Sequence, residues 1–203
     1  MMKLILLSIA TLIINLVSGQ DKKIKEALDN KLPYSEIPAI TEKYTAGSVA
    51  SRLLDGLGFR FYWATDGLRD EDLIFKPDKE TRSTIEIIEH IYEMSVMIKN
   101  AATQTINTPD QSPRLPFNEM RKTTLENFRI ASSILRSSSD EDLTLYTLKF
   151  KQEQKLIEYP FWNHINGPIS DCLWHTGQVV LSRRLSGNPF SNKVNLLNGT
   201  IAK

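Results

Sequence analysis

Apolar residues recur at steps of three and four through most of the chain, and four stretches are long enough to be helices. The first is Ala46 to Asp66, where Val49, Leu53, Leu54, Leu57, Phe61 and Trp63 form the apolar face. Gly67–Glu80 reads as a loop, because Pro77 prevents a helix from continuing. A second helix follows Arg82 and runs to about Thr103, with Ser83 or Thr84 as its cap and Glu86 three residues after Ser83, the spacing of a capping box. Pro109, Pro113 and Pro116 make residues 104–116 a loop. A third helix covers about Asn118 to Arg136. Leu143–Phe150 alternates as a short strand or an extended crossover. The last helix spans about Tyr159 to Leu185 and stops at Ser186-Gly187-Asn188-Pro189, where Gly allows a left-handed cap and Pro bars continuation. Four long helices, little strand and one long connection before the last helix predict an all-α four-helix bundle over residues 45–189. Residues 20–44 form a polar lead-in arm, and residues 190–203 a tail.

The first nineteen residues have a different pattern. Lys3 is followed by a fourteen-residue apolar run, Leu4 to Val17, broken only by Ser8, Thr11 and Asn15. That is the length of a signal-peptide core and shorter than the about 20 residues that span a bilayer. Val17 and Gly19 are small enough for the −3 and −1 positions of a cleavage site before Gln20. Residues 1–19 are therefore expected to be a signal peptide, and the mature protein to be exported to the periplasm or the medium of a bacterial cell. No stable membrane span would remain after cleavage. An uncleaved anchor is the alternative.

Charge excludes one class of partner. The chain of 203 residues has 25 basic and 24 acidic side chains, and loss of Lys3 makes the mature form neutral. Nonspecific nucleic-acid binding needs a basic excess, so no nucleic-acid partner is expected. Cys172 is the only cysteine, so neither an intrachain disulfide nor a thiolate zinc cluster can form. With three histidines, any metal site has few candidates.

Polar residues interrupt the apolar faces at a few positions. In the second helix the stripe Ile87, Ile91, Met94, Ile98 has His90 on or beside it. Such a residue is either a core histidine bonded to a carbonyl or hydroxyl, or a ligand. In the last helix Asp171 and His175 are four apart, which puts both side chains on one face. This spacing suits chelation of one ion and equally suits a local side-chain hydrogen bond. Gln178 continues that stripe. His164 lies eleven residues before His175, too far along a helix to share an ion with it. It is expected to line the mouth of the same cleft with Trp162, or to have a packing role, and Gly167-Pro168 to kink the helix between the two histidines. Cys172 reads as a small buried hydrophobe, Trp63, Tyr92 and Trp174 as core or bundle-edge aromatics, and Arg183 and Arg184 as capping or solvent-facing cations.

These residues carry a resemblance. Residues 162–189, centred on Asp171-Cys172-Leu173-Trp174-His175-Thr176-Gly177-Gln178, resemble the last helix of DinB-like (DinB/YfiT) proteins. The run Ser83 to Ile91, with His90 near the middle of the helix, resembles the family's second hallmark, and Leu73-Ile74-Phe75-Lys76-Pro77 its usual preceding loop. The resemblance covers residues 45–189. It implies an up-down-down-up bundle that binds a divalent ion through one side chain of the second helix and two of the last. Carried over, these are His90, Asp171 and His175, with Asp171 standing where the commonest pattern has His. A carboxylate with two imidazoles can hold Zn, Ni, Fe or Mn.

The resemblance further implies a metal-dependent hydrolase or thiol-dependent transferase acting on a small molecule. No nucleophilic triad or phosphate-binding glycine loop accompanies the set, so catalytic residues are not assigned. Glu89, Glu93 and Gln178 are neighbours of the ligands. A noncatalytic exported bundle that binds a ligand or a partner, with or without metal, is the alternative, and a homodimer is compatible with either.

Overall fold

The first long helix, α1 (Ala46–Thr65), begins at a reciprocal cap: the Thr45 side chain accepts from the Ser48 amide, and the Ser48 hydroxyl accepts from that of Thr45. A short helix, α2 (Asp70–Ile74), follows. The next long helix, α3 (Thr84–Ala102), opens on the capping box expected from Ser83 and Glu86. The Glu86 carboxylate accepts from the Ser83 amide at 2.6 Å and its hydroxyl at 2.7 Å, and Ser83 bonding lowers the Glu86 pKa to about 2. Helix α4 (Phe117–Arg136) starts directly after Pro116. The last helical segment is α5 (Phe161–His164), a wide turn over Ile165–Ile169, and α6 (Ser170–Leu185). This computed structural model describes residues 31–109 and 111–202, and Pro33–Lys203 forms one unit. The expected signal peptide (1–19) and the start of the arm (20–30) lie outside the described residues.

The long helices pack in a ring: α1 against α4, α4 against α3, α3 against α6, and α6 against α1. Leu54, Leu57 and Phe61 of α1, Ile88, Ile91 and Ile98 of α3, Leu125, Phe128 and Leu135 of α4, and Cys172 and Val179 of α6 are fully buried. Removal of such side chains from water is the main favourable term in folding. Phe61 and Phe128 meet edge to face at 6.1 Å. Polar contacts set the helix directions. Ser51 bonds Ser132 while Arg121 donates to Thr65, so α1 and α4 run oppositely. Gly47 lets them approach, because a Cβ there would collide with the carbonyl of Leu135.

The protein is mostly helical, with two small sheets that an all-α reading omits. The connection before α5 holds a 3-10 turn (Glu141–Leu145) and a hairpin of β1 (Leu148–Gln152) and β2 (Lys155–Tyr159), with Leu148 opposite Tyr159. The expected strand thus exists but lies later, and it turns back on itself around Glu153, whose φ is 52°. The tail carries a second pair, β3 (Val194–Asn195) and β4 (Thr200–Ile201). The Gly199 carbonyl, in a residue at φ 68°, accepts from the Ile37 amide at 2.8 Å and fastens the arm to the tail. Two core assignments are corrected: Val49 and Leu53 are exposed, because the face centred on Ala50, Leu54 and Leu57 meets the bundle and Val49 and Leu53 lie off its edge. No helix among the described residues is long and apolar enough to cross a membrane.

Candidate metal centre

Burial of the Ile87, Ile91, Met94 and Ile98 stripe orients α3, and this puts His90 at the edge of its packed face with its side chain 32% exposed. The opposite wall is set by the wide turn. Gly167 has a non-helical ψ of −108° and Pro168 follows, so α6 restarts at Ser170 with its own direction. Asp171 falls in its first turn, where a carboxylate suits the helix dipole, and His175 is one turn further. The Cys172 Sγ reaches Ile91 O at 3.9 Å, which packs α6 on α3 at the level of the site.

The three side chains converge. His90 Nε2 lies 3.4 Å from Asp171 Oδ2, and His175 Nε2 lies 3.5 Å from Asp171 Oδ1. The imidazole centroids are 4.8 Å apart with planes at 85°. One ligand atom from each residue falls within 4.8 Å of the others, close enough for all three to bind one metal ion. Ligands about a tetrahedral ion at about 2.1 Å stand roughly 3.4 Å apart. Each carboxylate–imidazole separation is of that size, though the two rings face different oxygens of Asp171.

The surrounding polar groups orient one imidazole firmly. His175 Nδ1 is 2.8 Å from Gln178 Oε1. With an amide oxygen as partner, Nδ1 carries the ring hydrogen and donates it, leaving the Nε2 lone pair towards Asp171 and His90. His90 Nδ1 stands 3.9 Å from Glu93 Oε2, a looser contact. Glu89 does not join the site, since its carboxylate accepts from Arg114 Nε at 3.1 Å. A groove of about 450 Å³ opens beside His175 between α6 and the start of α3, and Arg82 and Ser182 line it. Neither residue stands out in the hydrophobic pattern: one precedes a helix cap and the other is a small residue on a buried face.

The remaining expectations have mixed outcomes. His164 does not line the cleft: it is fully buried, edge-on to Phe161 at 5.3 Å, and burial lowers its pKa to about 4. Trp162, beside it, and Trp174 both point to solvent. Cys172 is the buried hydrophobe expected, its thiol pKa pushed up by burial and then by Asp171. Arg183 caps a helix end, but that of α1: its Nη1 donates to the carbonyls of Trp63, Ala64 and Asp66. Compared with protein-family models and with curated proteins, the chain finds no match.

Proposed function

We propose that this chain is an exported DinB-like metalloprotein, whose His90, Asp171 and His175 hold one divalent cation and whose activity is a metal-dependent hydrolysis or thiol-dependent transfer on a small molecule. The observation that carries the reading is the convergence of two Nε2 atoms on one carboxylate, with the far side of one ring already held by Gln178. The helix directions agree with the up-down-down-up order of that family. α1 and α4 run oppositely, while Ile91 against Cys172 and Ile87 beside Ser182 make α3 and α6 opposite as well.

The donor set fits a borderline or hard divalent ion, because two neutral imidazoles and one carboxylate offer N and O ligands with one compensating charge. When bound, the ion would polarise a substrate group or lower the pKa of a bound water or thiol. The protein's own part is orientation. Gln178 fixes the tautomer and angle of His175, the α6 turn holds Asp171 between the two rings, and the groove beside His175 admits a substrate. The alternative is a metal-free His–Asp–His cluster, favoured by the facing of each imidazole to a different oxygen of Asp171.

Elemental analysis and zinc titration of the purified protein decide between them. The expected result is one ion per chain, lost in His90→Ala and in His175→Ala. Absence of metal uptake at neutral pH by the folded wild type would reject the metal centre.

A further inference from the structure

The groove beside His175 has a consistent polarity. Beyond His175 its polar lining is Arg82, Gln178, Ser182 and Thr81, whose hydroxyl is spent on Asp78 O at 2.7 Å; Ile87 and Leu181 are apolar, and no carboxylate is among its lining residues. Arg82 is exposed and makes no ion pair or side-chain hydrogen bond among the described residues. None of the carboxylates near it in sequence pairs with it: Asp78 Oδ1 accepts from the Glu80 amide at 2.9 Å, Glu86 is held by Ser83 and by Lys76 at 3.3 Å, and the exposed Glu80 side chain makes no ion pair with Arg82 among the described residues. Ser182 is 2% exposed, yet its hydroxyl has no hydrogen-bond partner among the described residues, and it faces the groove. Gln178 spends its oxygen on His175 and keeps its amide donors. Away from His175, the free polar groups of the groove can therefore all donate, and the one charge among them is positive, beside an apolar wall of Ile87 and exposed Leu181.

We infer that this groove binds a small carboxylate with an apolar body, its anionic end paired with Arg82 and its other end turned towards His175. A single guanidinium matches a planar carboxylate with two parallel hydrogen bonds. A phosphate dianion would call for more positive charge than the groove offers. A volume of about 450 Å³ is that of a small-molecule site. The apolar body lies along Ile87 and Leu181, and Ser182 and Gln178 offer donors to polar groups between the two ends. The inference rests on the metal-centre reading only for its orientation: the end away from Arg82 is the one delivered to His90, Asp171 and His175.

Binding of hexanoate, hexanamide and hexyl phosphate to the metal-free protein, followed by nuclear magnetic resonance or calorimetry, tests the inference. Hexanoate is expected to bind at least about tenfold more tightly than hexanamide, the worth of a charge-assisted hydrogen-bond pair. Arg82→Gln should abolish that preference and Arg82→Lys retain part of it, with both variants folding as wild type because Arg82 is exposed and makes no ion pair or side-chain hydrogen bond among the described residues. Leu181→Trp, which narrows the groove, should weaken both ligands. Equal binding of hexanoate and hexanamide, a preference that survives Arg82→Gln, tighter binding of hexyl phosphate, or no saturable hexanoate binding each overturns the inference. Zinc titration of the same samples reports on the metal separately. Hexanoate recognised through Arg82 without zinc uptake keeps the groove and rejects the ion, while zinc uptake without discrimination does the reverse.

Discussion

His164 is costly to bury. It is fully buried, and neither ring nitrogen has a hydrogen-bond partner among the described residues. Burial alone moves its pKa from 6.5 to about 4. In the folded chain the ring is therefore neutral down to about pH 4, whereas in the unfolded chain it takes a proton below about 6.5. The unfolded state binds more protons between those values, so stability is full above pH 6.5 and falls by about 3 kcal/mol as pH drops to 4. His164→Phe should remove this part of the acid slope, as read from denaturant melts at pH 7 and pH 4.5. A variant that keeps the wild-type slope would show that other groups carry it. Cys172 makes the complementary case: with its thiol buried and its pKa raised, it should react with a disulfide reagent only as fast as the protein opens. Rapid labelling of native protein would contradict its burial.

Helix ends carry much of the polar design. Loss of the side-chain cap at α3 through Ser83→Ala should cost about 1 kcal/mol, measured by urea unfolding, because the Glu86 amide loses its acceptor and the Glu86 carboxylate loses one of its donors while keeping the backbone amide of residue 83. Arg183 is a larger case. It is 2% exposed, and its guanidinium donates to three carbonyls at the end of α1 and to Asn188 O at 2.6 Å. Arg183→Met strands those buried acceptors and should cost roughly 3 kcal/mol. Arg184→Met, at the exposed neighbouring position, should be close to neutral. Asp72 completes the junction: Arg69, Ser186 and Asn188 all donate to it, and the Arg69 guanidinium foremost holds its pKa well below the usual range. The junction joins α2, the C-terminus of α6 and the end of α1 far from them in sequence.

At the scale of the whole molecule, the proposed ion should behave as a brace between α3 and α6, since His90 is on one and Asp171 and His175 on the other. A ligand bound only by the folded state at about 100-fold above its Kd adds ~2.7 kcal/mol. For a domain of this size that is a rise in Tm of roughly 5–10 °C. Zinc should therefore shift the melting curve of the wild type and leave that of His90→Ala where it was. An equal shift in both would mean that the ion binds elsewhere.

Local physics settled much of this protein from the sequence by itself. The Ser83–Glu86 cap, the stop at Gly187, the break at Gly167-Pro168 and the buried Ile87, Ile91, Met94, Ile98 stripe follow from hydrogen-bonding geometry and helical period within a few residues. The pairing of Asp171 with His175 was legible for the same reason, as both ride on one turn of helix. Tertiary structure alone decided the rest. Periodicity could not say which side of α1 meets the bundle, because Val49 and Leu53 share the apolar spacing of Leu54 and Leu57 and differ only in what packs against them. The burial of His164 and the reach of Arg183 to the end of α1 depend on which helices become neighbours. The 3.4 Å approach of His90 to Asp171 depends on the packing of α6 against α3, two helices separated by 67 residues of chain between Thr103 and Ile169. Contacts across such a distance are fixed by burial of the whole core, which no short window of sequence contains.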